Sequence, residues 1–176
     1  HDDIMDNAPL RRGKPTVHKK WNDNTAILSG DAMLILVYDL LNKAPEDTVQ
    51  QAIEVFNQVA LEVCEGQMLD MEFEQTNQVS IENYLEMIRQ KTAVLLGGAL
   101  QLGAIAANAN NKIQHAFYSL GVNLGLAFQL KDDLLDTFGT QAAVGKQIGG
   151  DILANKKTFL YLTALNLANQ QDKLEL

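Results

Sequence analysis

FQLKDDLLD, residues 128–136, closes a long apolar segment in acid. On a helix, positions i, i+3, i+4 and i+7 share one face. Gln129, Asp132, Asp133 and Asp136 have this spacing, so three carboxylates and an amide converge on one stripe while Leu130, Leu134 and Leu135 point elsewhere. Clustered carboxylates repel and raise each other's pKa unless a cation lies among them. The hard divalent ions Mg²⁺ and Ca²⁺ neutralise such oxygen ligands. The segment is therefore read as the end of a helix that presents metal ligands, in an all-α protein.

The pattern recurs at the start of the chain, where DDIMD, residues 2–6, matches the later DDLLD. One copy alone is a weak signal, more commonly explained as a solvated acidic helix end. Two copies facing a common cavity make a site for several Mg²⁺ ions. Each such ion takes one or two carboxylates and completes its shell with water and phosphate. The pair of motifs points to a diphosphate substrate.

The residues between the two motifs read as helices. Pro9 and the Gly13-Lys14-Pro15 run stop the first. The loop that follows carries Arg11, Arg12, Lys14, His18, Lys19 and Lys20, either a solvated basic loop or a grip on phosphate opposite the metal. A helix over 26–42, capped by Asn24 or Thr25, is apolar all round and reads as deeply buried. Asp31 within it is an early-turn acid or a partner of a cation. Pro45 opens the next helix with Glu46 and Asp47 in its first turn. Further on, Gln67 and Asp70 share a face that is either helix surface or cavity lining. Ser80 caps a helix over 81–96 that holds Arg89, Lys91 and Thr92, and Lys91 either snorkels to the surface or reaches a phosphate. Gly97-Gly98 permits a kink or a close approach, and a helical continuation spans 99–107. The helix over 113–136 contains Gly121 and Gly125, whose spacing admits a closely packed neighbour. A glycine-rich loop with Lys146, Asp151, Lys156 and Lys157 reads as a lid or an interhelical linker, and a last helix spans 158–169. No segment alternates with period two, so no strand is expected.

Composition sets outer bounds. The chain has 176 residues, 47% of them hydrophobic, enough for one core. A net charge of -8 argues against nucleic acid as a partner. The single cysteine, Cys64, excludes an internal disulfide framework, fits a reducing, cytoplasmic compartment and reads as a small buried hydrophobe. The longest apolar run, 93–107, is too short for a membrane span. The first residue is His1, and the sequence is read as part of a longer protein.

With these segments in order, the sequence resembles the trans-isoprenyl (polyprenyl) diphosphate synthases. DDIMDNAPLRRGKPTVH at 2–18 is similar to the family's first aspartate-rich motif with its arginine pair. GQMLD at 66–70 is similar to its Gly-Gln element, and Lys91-Thr92 to its Lys-Thr pair. FQLKDDLLD resembles the second aspartate-rich motif, and GKQIGGDILANKKT the closing lysine-rich loop, with Asn155-Lys156 where the family has Gly-Lys. The resemblance implies an antiparallel helical bundle around a central cavity. Residues 1–176 would form the central to C-terminal part of one synthase domain, an incomplete portion of the fold that lacks the upstream Gly-Lys-x-x-Arg element and the residues setting product length.

The resemblance also implies roles. Asp2, Asp6 and Asp132 would bind Mg²⁺ directly, and Asp3, Asp133 and Asp136 secondarily or through water, with three ions held together with substrate diphosphate. Arg11, Lys91, Thr92, Gln129, Lys146 and Lys156 would hold an allylic diphosphate. Arg12 would contact isopentenyl diphosphate, and Phe128 would border that site. The catalytic set is Asp2, Asp6, Lys91, Asp132 and Lys146. The implied reaction is Mg²⁺-dependent head-to-tail prenyl transfer giving a farnesyl, geranylgeranyl or longer diphosphate, by a protein expected to be a homodimer. Two related readings compete: a non-catalytic partner subunit, which generally loses acidic motif residues, and a class I terpene cyclase, which normally has one DDxxD motif. An acidic Ca²⁺ buffer would not need the basic residues in register.

Overall fold

A computed structural model describes residues 1–76, 78–139 and 149–172. The chain is helical almost throughout. The short α1 (Asp2–Met5) leads into α2 (Val17–Lys20) and α3 (Asp23–Leu41). The long α4 (Glu46–Gln75) and α5 (Ile81–Ile88) follow. A π-helical turn (Arg89–Ala93) joins α5 to α6 (Val94–Ala106), and α7 (Asn111–Phe138), α8 (Gly150–Leu153) and α9 (Phe159–Leu167) complete the order. Strands are not wholly absent, contrary to expectation. Leu10–Arg11 (β1) and Lys14–Pro15 (β2) pair antiparallel, Leu10 opposite Pro15 and Arg11 opposite Lys14. The turn between them has positive φ at both Arg12 (53°) and Gly13 (74°), as a two-residue primed hairpin requires. Two residues per strand leave no room for the period-two signal that betrays longer strands.

Side chains start the helices. Ser80 Oγ accepts from the Asn83 amide (3.1 Å), Asn110 Oδ1 from Ile113 (3.1 Å) and Thr158 Oγ1 from Tyr161 (3.4 Å). Asn22, not Asn24 or Thr25, caps α3, accepting from the Thr25 amide at 2.8 Å. Helix α3 also departs from the expectation of deep burial. Only Ala26 is buried, while Leu28, Met33, Ile35 and Leu36 are all more than half exposed. Its chief neighbours are α2 and α4, which cover a fraction of an apolar surface that runs all round it. By length (19 residues) and mean hydropathy (1.3) alone it could cross a membrane, a test that core helices also pass.

The centre of the bundle is α4, α6 and α7, brought close by glycine. A Cβ at Gly121 would lie 2.6 Å from Gly97 Cα, and one at Gly125 would lie 2.5 Å from Ala93 Cα. The spacing read from the sequence therefore serves close helix packing. At one end, Phe73, Tyr84, Met87, Ile88 and Leu162 form the core cluster, joining α4, α5 and α9. This cluster fixes the ends of α4 and α7 against α5, next to the acidic end of α7.

Candidate functional site

Between α1, α4, the π turn and α7 lies a cavity of about 840 Å³, within the range of small-molecule sites. Its apolar lining comes from Val63, Met68, Met71, Met87, Ile88 and Leu95. Its polar lining draws on both acidic motifs. Asp2 and Asp6 come from the first motif, Asp132 and Asp133 from the second, and the cations Arg11, Lys91 and Lys156 stand among them. Thr92, Phe128 and Gln129 complete the lining from the sequence-derived set. Three residues of that set do not line it. Asp3 accepts from Arg11 Nε (2.8 Å) and Nη2 (2.6 Å), Arg12 forms the exposed hairpin turn, and Asp136 is buried, accepting the Asp151 amide at 3.0 Å. Lys146 lies outside the described residues.

The π turn sets the position of Lys91 and Thr92. Gly66 on α4 lies beneath it: a Cβ there would sit 2.7 Å from both Gln90 C and Lys91 Cα. Gly125 on α7 admits Ala93 from the other side. Arg89, at the turn's start, donates to Glu62 (2.7 Å) on α4 and to both oxygens of Glu86 (2.8 Å each). Those carboxylates outweigh the burial that opposes its charge and raise the guanidinium pKa further, the bond to Glu86 most of all. π turns within α-helices recur at functional sites because they widen the helix locally.

Asp70, which sequence reasoning left between surface and cavity, organises the cations. Its Oδ2 receives Lys91 Nζ at 2.7 Å and Lys156 Nζ at 2.5 Å. Lys156 also meets Glu74 (2.6 Å) and approaches Asp6 (3.7 Å). Burial pushes the Asp70 carboxyl up, but the two lysines together hold it below the usual range. Burial works against the Lys156 charge, and Asp70 and Glu74 more than reverse it, raising that pKa. Asp6 is raised, by burial first and then by Asp2, against the pull of Lys91 and Lys156. Asp70 is 6% exposed. The signal for it was its position three residues after Gln67, which also lines the cavity. Cys64 was read as buried; it is exposed and opens to the same cavity, because α4 turns that face toward the void.

The family model for polyprenyl synthetase matches residues 1–176. The chain belongs to the polyprenyl synthetase family. Among relatives of this family, the short chain isoprenyl diphosphate synthase of Methanocaldococcus jannaschii is 38% identical over 177 residues, covering 100% of this chain and 54% of the relative. The geranylgeranyl diphosphate synthase of Saccharolobus solfataricus is 40% identical over 177 residues, 98% of this chain and 53% of its own length. A crystal structure of a geranylgeranyl pyrophosphate synthase superposes with TM-score 0.94 at 54% identity, covering 99% of this chain and 54% of that one. The geranylgeranyl pyrophosphate synthetase of Pyrococcus horikoshii gives 0.91 at 39%, with 99% and 54% covered. The chain thus spans about half the length of the curated polyprenyl synthetase relatives it matches.

Asn155, where the family resemblance leads one to expect glycine, has a local explanation. It has φ 55°, in the left-handed region that glycine and asparagine tolerate best. Its Nδ2 donates to the Glu74 carbonyl at 2.9 Å. Asn155 holds this conformation and ties the α8–α9 connection to α4, beside Lys156.

Proposed function

We propose that the protein carrying this chain condenses isopentenyl diphosphate head to tail with an allylic diphosphate, in a Mg²⁺-dependent reaction, to give a longer linear trans-prenyl diphosphate. The observation that carries the reading is one cavity lined both by apolar side chains and by Asp2, Asp6, Asp132, Lys91 and Lys156. A prenyl tail suits the apolar lining, and a diphosphate suits the charged lining. The names of the family's geranylgeranyl and geranylfarnesyl synthases agree with a C20-or-longer product, and the farnesyl length stays within the proposal.

The donor set fits Mg²⁺. Among the described residues, no three carboxylate, imidazole or thiolate groups converge tightly enough to hold an ion alone. Oxygen donors spread over two walls suit an ion that takes one or two carboxylates and fills its shell with water and phosphate. Asp2, Asp6 and Asp132 are the ligands we assign, with three ions as the proposed complement. When bound, Mg²⁺ supplies charge stabilisation to the departing diphosphate. Lys91 and Lys156 add fixed positive charge where negative charge develops as the allylic C–O bond breaks. The apolar wall excludes water from the allylic cation, and the isopentenyl double bond attacks it. Proton loss to the released diphosphate completes the condensation, so no side-chain nucleophile is needed. A homodimer working in the cytoplasm belongs to the same proposal and rests on what is usual in the family.

Incubating the natural full-length protein with isopentenyl diphosphate and each allylic primer, with Mg²⁺ or EDTA, tests the reading. A linear product that disappears with EDTA and in Asp132→Asn is the expected result. A cyclic hydrocarbon, or no product from any primer, would replace it with the cyclase or partner-subunit reading.

A further inference from the structure

A half-buried hydrogen-bond chain on the cavity wall has a fixed direction. Gln129 Nε2 donates to Asp133 Oδ1 (3.0 Å), and Gln129 Oε1 accepts from Thr92 Oγ1 (2.9 Å). A carboxylate only accepts, so it draws the amide's NH₂ toward itself and leaves the carbonyl for Thr92, which must then donate. Asp133 is 3% exposed. The Tyr84 hydroxyl donates to its other oxygen, and the Phe159 backbone hydrogen-bonds to the carboxylate. Tyr84 belongs to the core cluster and is itself 2% exposed, so the anchor is rigid. Thr92 and Gln129 both line the cavity.

We propose that Asp133 is a positioning residue: by setting the polarity of the chain Asp133–Gln129–Thr92, it makes Thr92 turn an acceptor rather than a donor toward the cavity. This rests on the prenyl-transfer reading and revises one part of it. A hydroxyl whose proton is held by Gln129 does not donate to a phosphate oxygen. Its lone pairs suit the electron-poor end of a ligand instead. Thr92 thereby separates from Lys91, its neighbour in sequence, whose ammonium suits the anion.

The polarity can be reversed and restored by substitution. In Asp133→Asn, the new amide keeps its carbonyl toward the Tyr84 hydroxyl and turns its NH₂ to position 129. The Gln129 amide must then turn over, and the Thr92 proton swings into the cavity. Gln129→Glu alone sets two carboxylates face to face. The double variant Asp133→Asn/Gln129→Glu reverses the bond between positions 133 and 129 but makes position 129 wholly an acceptor, so Thr92 donates to it as in the parent, with unchanged net charge. We expect kcat with an allylic primer to fall about 10- to 100-fold in each single variant and to recover to within about 5-fold of the parent in the double. Binding of inorganic pyrophosphate with Mg²⁺, read by calorimetry, should change less than about 3-fold in Asp133→Asn, since Asp133 is not needed as a ligand. The melting temperature should drop in both single variants and recover in the double. A double variant no better than the singles in both kcat and melting temperature overturns the proposal. Loss of Mg²⁺–pyrophosphate binding in Asp133→Asn also overturns it, by making Asp133 a metal ligand. The melting cycle needs no turnover, so its recovery alongside a parent protein that makes no prenyl product would sink the function and leave the polarity standing.

Discussion

Replacing Gly66 with alanine tests whether the π turn is held by the close approach of α4. The added Cβ would lie 2.7 Å from Gln90 C and Lys91 Cα, and nearer still to Lys91 N. These are backbone atoms of a packed turn, so no rotamer change relieves them. Reaching ordinary contact at about 3.4 Å requires α4 and the turn to separate by about 0.7 Å or more. Overpacking of this kind costs about 3 kcal/mol, the upper end of the usual range, because rigid backbone must yield. Alanine returns about 1 kcal/mol through its helix propensity. The net loss is about 2 kcal/mol, a fall of about 4–8 °C in melting temperature for a chain of this size. Gly103→Ala is the control. It lies in α6 with nothing within 4 Å of the added methyl, so it should stabilise by about 0.5–1 kcal/mol. Thermal unfolding followed by circular dichroism reads both. A Gly66→Ala protein as stable as the parent would refute the account of the turn. So would equal losses at the two glycines.

Asp70→Ala leaves the Lys91 and Lys156 ammoniums without their shared partner. It should cost about 3 kcal/mol in urea unfolding, the low end for a broken buried pair because Glu74 remains on Lys156; a loss below about 1 kcal/mol would rule out the bridge. The pH dependence follows from the shifts. Asp70 is depressed, so its contribution is present above the ordinary carboxylate value and is lost as pH falls through its folded value. Lys156 is raised, so its contribution is full below the ordinary lysine value and is lost as pH rises through its folded value. Asp6 and Asp133 are raised and act oppositely to Asp70, their penalty easing as pH falls. Unfolding titrations of Asp70→Asn should show a shallower acid limb than the parent, and an unchanged limb would remove Asp70 from the account. Alkylation of Cys64 by iodoacetamide should slow when Mg²⁺ and a prenyl diphosphate fill the cavity; an unaffected rate would mean that Cys64 opens elsewhere.

The acidic stripe on α7 was legible because carboxylates at helical spacing have few other reasons to lie on an apolar helix. Spacing alone did not rank its four residues; only the family resemblance set Asp132 apart from Asp133 and Asp136. Periodicity gives the face but not the depth: Asp132 lines the cavity, Asp133 is held by Tyr84 and Gln129, and Asp136 receives the amide of Asp151. Asp70 was only half visible, since its significance depends on lysines 21 and 86 residues away in sequence. Helix α3 shows the converse. Its apolar pattern is genuine, but burial depends on neighbours as well as on pattern, and α2 and α4 cover little of it. The hairpin at Leu10–Pro15 escaped because its evidence is two positive φ angles rather than a periodicity.

The π turn is also a matter of phase. Ile88 and Ala93 are five apart and both buried, at 2% and 0% exposure, where a regular helix would repeat a face after three or four residues. The turn absorbs one residue beyond α-helical register. Each residue of an α-helix advances the side chain by about 100°. Without that extra residue, α5 and α6 could not both keep their present faces: if Val94 and Gly97 stayed against their neighbours, Tyr84 and Met87 would rotate out of the core cluster by about that angle. A single-residue deletion within Arg89–Ala93 would therefore act on the entire α5 helix as a rotation, whereas a substitution at the same place would act only locally.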